Sequence, residues 1–171
     1  MALTKLDDVC ALITIDLQKG IAGMPMAHPA AEIIDRSARL ARAFRERGLP
    51  VVLVNVTAAA PGRTDAGPRK FSFPDDWTEL VPELDQQPTD YLRQRGVTQV
   101  VLTGIATSAG VESTARNAYD LGYHVTLVVD AMTDRDMDAH RYSVEKVFPR
   151  IGETGKTADV LRLLQEPERP A

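Results

Sequence analysis

The sequence predicts an α/β fold, a parallel sheet with helices on both of its faces. Three observations predict it. Four short apolar runs rich in β-branched residues (10–16, 51–56, 100–105 and 124–130) are nearly continuous rather than alternating, as strands buried on both faces are. Helical periodicity fills the stretches between them, so strands and helices alternate along the chain. The 171 residues, 44% hydrophobic and 26% charged, suit one core of ordinary globular balance and point to a single domain over 1–171.

The elements follow in order. CALITID is the first strand. Cys10 within it reads as a small buried core residue, and a lone cysteine permits no intrachain disulfide. HPAAEIIDRSARLARAFRERG puts Ile33, Ser37, Leu40 and Phe44 on one helical face and Ile34, Ala38 and Ala41 on the adjacent one, with Gly48 as terminator. VVLVNV is the second strand. The stretch from Ala58 to Asp90 is rich in Pro, Gly and Asp, and loops this long in a compact domain are usually functional or mobile. VVLTGI, the third strand, enters the small-residue turn TSAG. VESTARNAYDLGY then leaves as a helix, with Val111, Ala115 and Ala118 on one face and Gly122 at its end. HVTLVVD is the fourth strand, and DMDAHRYSVEKVF is a later helix stopped by Pro149. The tail, 165–171, is expected to fray.

Composition excludes several classes. A net charge of −4 offers no basic surface for nucleic acid. MALTKLDDV lacks the apolar centre of a signal peptide, and no apolar run approaches the ~20 residues that span a bilayer. A soluble, cytoplasmic protein with no membrane partner is expected. His28, His124 and His140 lack metal-ligand spacing, so neither a metal nor a cofactor is expected.

Ligands of open α/β sheets bind beyond the carboxyl ends of the strands, where strand order reverses. Asp16 ends the first strand, and the third strand runs into TGIATSAG. If those strands are neighbours, Asp16 faces the turn across the crevice. There it is either a general acid or base, or a cap for its own turn. The turn's backbone amides can bind an anion or a developing oxyanion, and Gly104 and Gly110 permit close backbone approach. Ser108 and Ser113 have no histidine near in sequence. Asp130 and Asp134 end another strand and are expected to cap the helix that starts near Asp136. Phe71, Phe73 and Trp77 either wall a pocket or anchor the long loop.

The segments ALITIDLQKG, VVLTGIATSAGVESTARNAYDLGY and VTLVVDAMTD together resemble the isochorismatase-like hydrolase superfamily over most of the chain. The resemblance implies a three-layer, Rossmann-like fold of about six strands, one hydrolase domain and a homodimer or larger homo-oligomer. It also implies a small polar substrate. In the cysteine hydrolases of this family an aspartate, a lysine and a cysteine form the catalytic set. The aspartate carries over onto Asp16. The cysteine position falls on Gly110, so the resemblance implies a site without a cysteine nucleophile, in which Asp16 acts as general acid or base. The substrate-binding or oxyanion groups implied are Gln18, Ile105, Ala106, Ser108, Ala109 and Gly110, with Phe71 and Trp77 as pocket wall. A cis peptide is implied at Ile105–Ala106. A non-catalytic binding or assembly protein on the same fold is the alternative. Homo-oligomer formation also follows from Val160, Leu161, Leu163 and Leu164, apolar residues that need a surface to cover them.

One segment is short. TDYLRQRG gives barely two helical turns before the third strand, where the family carries a longer stretch with its lysine. Lys19 and Lys70 are the lysines that could enter the crevice instead. Either the longer stretch is deleted, or the chain closes over it at Asp90–Tyr91. In the second case the Cα atoms would stand farther apart than the ~3.8 Å of bonded neighbours.

Overall fold

The computed structural model describes residues 3–57, 74–85 and 92–165. Within them, five strands form one parallel sheet in the order β2-β1-β3-β4-β5. They are β1 (Cys10–Ile15), β2 (Val51–Val54), β3 (Gln99–Ile105), β4 (His124–Thr133) and β5 (Glu153–Gly155). The helices are α1 (Lys19–Ala22), α2 (Ala30–Glu46), α3 (Glu112–Asp120), α4 (Met137–Tyr142) and α5 (Thr157–Gln165). The described sheet has five strands where the resemblance implies about six. Its fifth, the three-residue β5, carries no apolar run that a sequence pattern could detect.

Side-chain alternation along β1 divides the core into two layers. Cys10 and Leu12 point to one face and join Leu40, Ala41 and Phe44 of α2 with Val160 and Leu164 of α5. Ala11, Ile13 and Ile15 point to the other and join Ala115 and Ala118 of α3 with Val147 and Phe148. A three-layer, Rossmann-like α/β architecture results. The α2 face expected from periodicity is the buried one: Ile33, Ser37, Ala38, Leu40, Ala41 and Phe44 all lie inside. Gly48 and Gly122 end α2 and α3 with positive φ.

Val160 and Leu164 are buried, and Leu161 and Leu163 pack against the same core. This apolar stripe is covered by its own chain, so it gives no reason for a partner. Among the described residues no helix is long and apolar enough to cross a membrane. The expectations for Phe71, Phe73, Lys70 and the Asp90–Tyr91 link fall on residues outside the described ones.

Candidate active site

β1 and β3 are hydrogen-bonded neighbours, with Ile15 opposite Gly104. In this strand order, the reversal lies between them. Asp16 leaves the end of β1 in the left-handed region, φ 54°, where Asp is tolerated better than most residues. Its amide is held by the Val54 carbonyl at 2.8 Å. Gly104 lets the two strands come together here, because an ideal Cβ on it would lie 2.6 Å from the nitrogen and 2.8 Å from the carbonyl carbon of Ile15. The peptide between Ile105 and Ala106 is cis. A wide helical turn, Thr107–Val111, follows and leads into α3.

The turn closes on Asp16 through Gly110. A Cβ placed on Gly110 would stand 3.4 Å from Asp16 Oδ2 and 2.9 Å from Ile15 Cγ2. Asp16 Oδ1 is buried and has no hydrogen-bond partner among the described residues. Burial raises the carboxyl's pKa above its ordinary value. The site therefore presents a half-buried carboxyl with unused hydrogen-bonding capacity, set against backbone with no side chain between.

Other expected site residues have different places. Gln18 is fully buried and spent. Its Oε1 accepts from the Val56 amide at 2.8 Å, and its Nε2 donates to the carbonyls of Val56 at 3.1 Å and Trp77 at 3.0 Å. It is a strut that ties the end of β2 and the 74–81 segment to β1, with no group left for a ligand. Trp77 lies against Gly20, where its ring leaves no room for a side chain. Lys19 turns to the surface and pairs with Glu79 at 2.6 Å and Asp76 at 3.5 Å, so it does not supply the crevice with a cation. The Ser108 amide donates to Asp134 Oδ2 at 2.7 Å, and the Ala109 amide donates to the Ala106 carbonyl at 3.1 Å. As arranged here, neither amide is available as an oxyanion donor, because internal acceptors already hold them. Ile105 pairs with Thr133 in the ladder, and its side chain fills a small cluster with Leu17, Ile33, Val81 and Leu84.

A polar network that was not expected from the sequence lies behind the turn. Asp134 accepts from both the amide and the hydroxyl of Ser108 instead of capping α4; that cap is Asp136, which accepts from the amides of Asp138 and Ala139. Asp130 caps α5 through Thr157. His140 Nδ1 lies 2.8 Å from Thr107 Oγ1 and His28 Nδ1 lies 3.0 Å from Thr133 Oγ1, with the two rings edge to face at 4.8 Å. Burial, and then His28, lower the pKa of His140, while Asp134 opposes them. The signal for this network in the sequence was weak, since its members come from four separate segments.

The expectation of a site with no cysteine nucleophile, based on Gly110 standing at the family's cysteine position, is corrected. Cys10 is present, free and buried in β1. Burial pushes its thiol up to about 12. It begins the strand that Asp16 follows, so the two are separated by roughly 20 Å at about 3.3 Å per residue.

A parallel α/β sheet with a carboxyl at its reversal point defines a class of α/β proteins whose small-molecule ligands bind at that point. The chain belongs to the isochorismatase family: the isochorismatase domain model matches residues 10–92 and 88–159. It is 34% identical to the isochorismatase family protein YecD of Escherichia coli O157:H7, over 90% of this chain and 95% of that protein. It is 30% identical to the ureidoacrylate amidohydrolase RutB of Variovorax paradoxus, over 81% of this chain and 75% of the relative. The structure of an isochorismatase family protein from Burkholderia thailandensis superposes with a TM-score of 0.89 at 36% identity, covering 95% of this chain and 98% of that one. The two stretches matched by the domain model meet at 88–92. There the sequence analysis places the absent lysine-bearing stretch. The alignment with YecD extends over 181 positions although only 90% of the 171 residues take part, so YecD has residues without counterparts here.

Proposed function

We propose that the protein is a hydrolase of a small polar molecule and that Asp16 is its general acid or base. One observation carries the reading: a carboxyl at the sheet's reversal point, with one oxygen buried and unpartnered among the described residues and the other against the Gly110 backbone. Burial favours the protonated form, which is the form that donates. In this role Asp16 protonates the leaving nitrogen or oxygen of the substrate. Water supplies the hydroxyl to the carbon, and the proton released by that water restores the carboxyl. An amide or a ureide meets this requirement; an enol ether instead takes the proton on its terminal vinyl carbon, water adds to the oxocarbenium carbon, and the hemiketal releases the alcohol. The amidohydrolase relative favours the amide and the ureide.

Assay of the native protein and Asp16→Asn on a panel of amides, ureides and vinyl ethers tests the proposal. Turnover of at least one class that falls by 10²-fold or more in the variant supports it; equal turnover by the two proteins ends it. A homodimer or larger homo-oligomer belongs to the same proposal, on the family membership alone, and the mild net acidity suits a place in the cytoplasm. A monomeric mass by light scattering at micromolar concentration would end the oligomeric part.

A further inference from the structure

We infer that Asp134 is a positioning residue of this site: by holding Ser108 through both its amide and its hydroxyl, it keeps the 106–111 turn seated on Asp16. The inference deepens the proposed role of Asp16 and rests on it. Asp134 follows the end of β4 and is buried, whereas Ser108 is exposed. Both donors of Ser108 converge on the same oxygen, Oδ2, at 2.7 and 2.8 Å. Oδ1 accepts from the Arg135 amide at 2.8 Å, which fixes the carboxylate plane. The Asp134 carbonyl accepts from the Ala27 amide at 2.6 Å, so the segment that enters α2 is joined to the same point.

A second tie holds the preceding residue, Thr107, to His140 of α4. Two successive residues of the turn are thus anchored to the segment after β4, and none of these bonds involves Asp16. Gly110, two residues on from Ser108, is the residue that meets the carboxyl. The turn is therefore held from one side and applied to Asp16 on the other. Loss of the Asp134 anchor frees the turn to lift, water reaches Asp16, and the burial that raises its pKa is lost.

The test is a carbon-13 NMR titration of the Asp16 carboxyl in the full chain, comparing the native protein with Asp134→Ala, Asp134→Asn and Val160→Ala. Asp134→Ala is expected to bring the Asp16 pKa down towards ~3.9. Asp134→Asn removes the same charge and keeps an oxygen facing Ser108 while turning its amide donor towards the Arg135 N–H, so it is expected to lower the Asp16 pKa less than Asp134→Ala does. Val160→Ala, a core change in α5, is expected to lower the melting temperature without moving Asp16. Ser108→Ala deletes one of the two bonds and is expected to give a smaller fall. If Asp134→Ala does not fold, Ser108→Ala decides. An Asp16 pKa unchanged in Asp134→Ala overturns the inference, as does an equal fall in Asp134→Asn, which would make the effect one of charge. An equal fall in Val160→Ala would make it general loosening and also overturns it. None of these readouts needs a substrate, so loss of the hydrolase reading through an active Asp16→Asn variant stays distinguishable from loss of this one.

Discussion

Gly104→Ala tests the close approach that builds the site. Gly104 has φ +123°, a region that side chains rarely adopt, and the strain of holding alanine there is about 1–3 kcal/mol. The new methyl would also lie 2.6 Å from the nitrogen and 2.8 Å from the carbonyl carbon of Ile15. These are backbone atoms of a paired central strand, with Ile15 opposite Gly104 in the register, so they cannot rotate aside as a side chain would. Overpacking of this kind costs about 1–3 kcal/mol. Together the two effects give about 4 kcal/mol, a large part of the ~5–15 kcal/mol that stabilises a typical domain. For a chain of this size that is a fall in Tm of roughly 8–16 °C. Urea and thermal unfolding followed by circular dichroism read it directly. A loss below about 1 kcal/mol with an unchanged fold would refute the reasoning, because it would mean that β1 and β3 separate easily at the point where Asp16 is set.

Gln18→Ala removes three hydrogen bonds at a fully buried position and leaves the Val56 amide without its acceptor, so a loss of about 2–4 kcal/mol in urea unfolding is expected. Phe44→Ala empties a fully buried site in the α2 layer, and the same assay should show a loss of about 3–5 kcal/mol. Asp16 has a folded pKa raised by burial, so the stability it contributes relative to the unfolded chain is fully present below ~3.9 and lost as pH rises through the folded pKa. Asp16→Asn should therefore melt higher than the native protein at pH 7, with the gap narrowing towards pH 3; a gap that widens on acidification would contradict a raised pKa. In turnover by protonated Asp16, the pH profile of the native enzyme should decline as pH rises through the same pKa.

Much of the fold was legible because it depends on local pattern. The continuous apolar runs of β1, β3 and β4 and the amphipathic faces of α2 and α3 follow from burial, and burial leaves a mark on residue type. β5 was not legible, since Glu153, Thr154 and Gly155 carry no apolar signal and are ordered by pairing with Thr126, Leu127 and Val128. The apolar residues of α5 were legible as residues that need cover, but not that their own core buries Val160 and Leu164 and packs against Leu161 and Leu163.

The sequence by itself determined the α/β class and the place of Asp16 at a strand's end, where a short polar residue follows a buried run. The tertiary structure decided what Asp16 faces. Adjacency of β1 and β3 is a matter of strand order, and strand order is set by long-range packing that no local run encodes. The same holds for the polar groups. The family resemblance implies Gln18 as a substrate-binding group, yet three backbone groups of Val56, just beyond β2, and Trp77 bind its side chain. Asp134 reads as a helix cap, yet its carboxylate holds a turn 26 residues earlier in the chain. Hydrogen-bonding capacity is a property of a residue type, but its partners are assigned only when distant backbone is folded within about 3 Å of it.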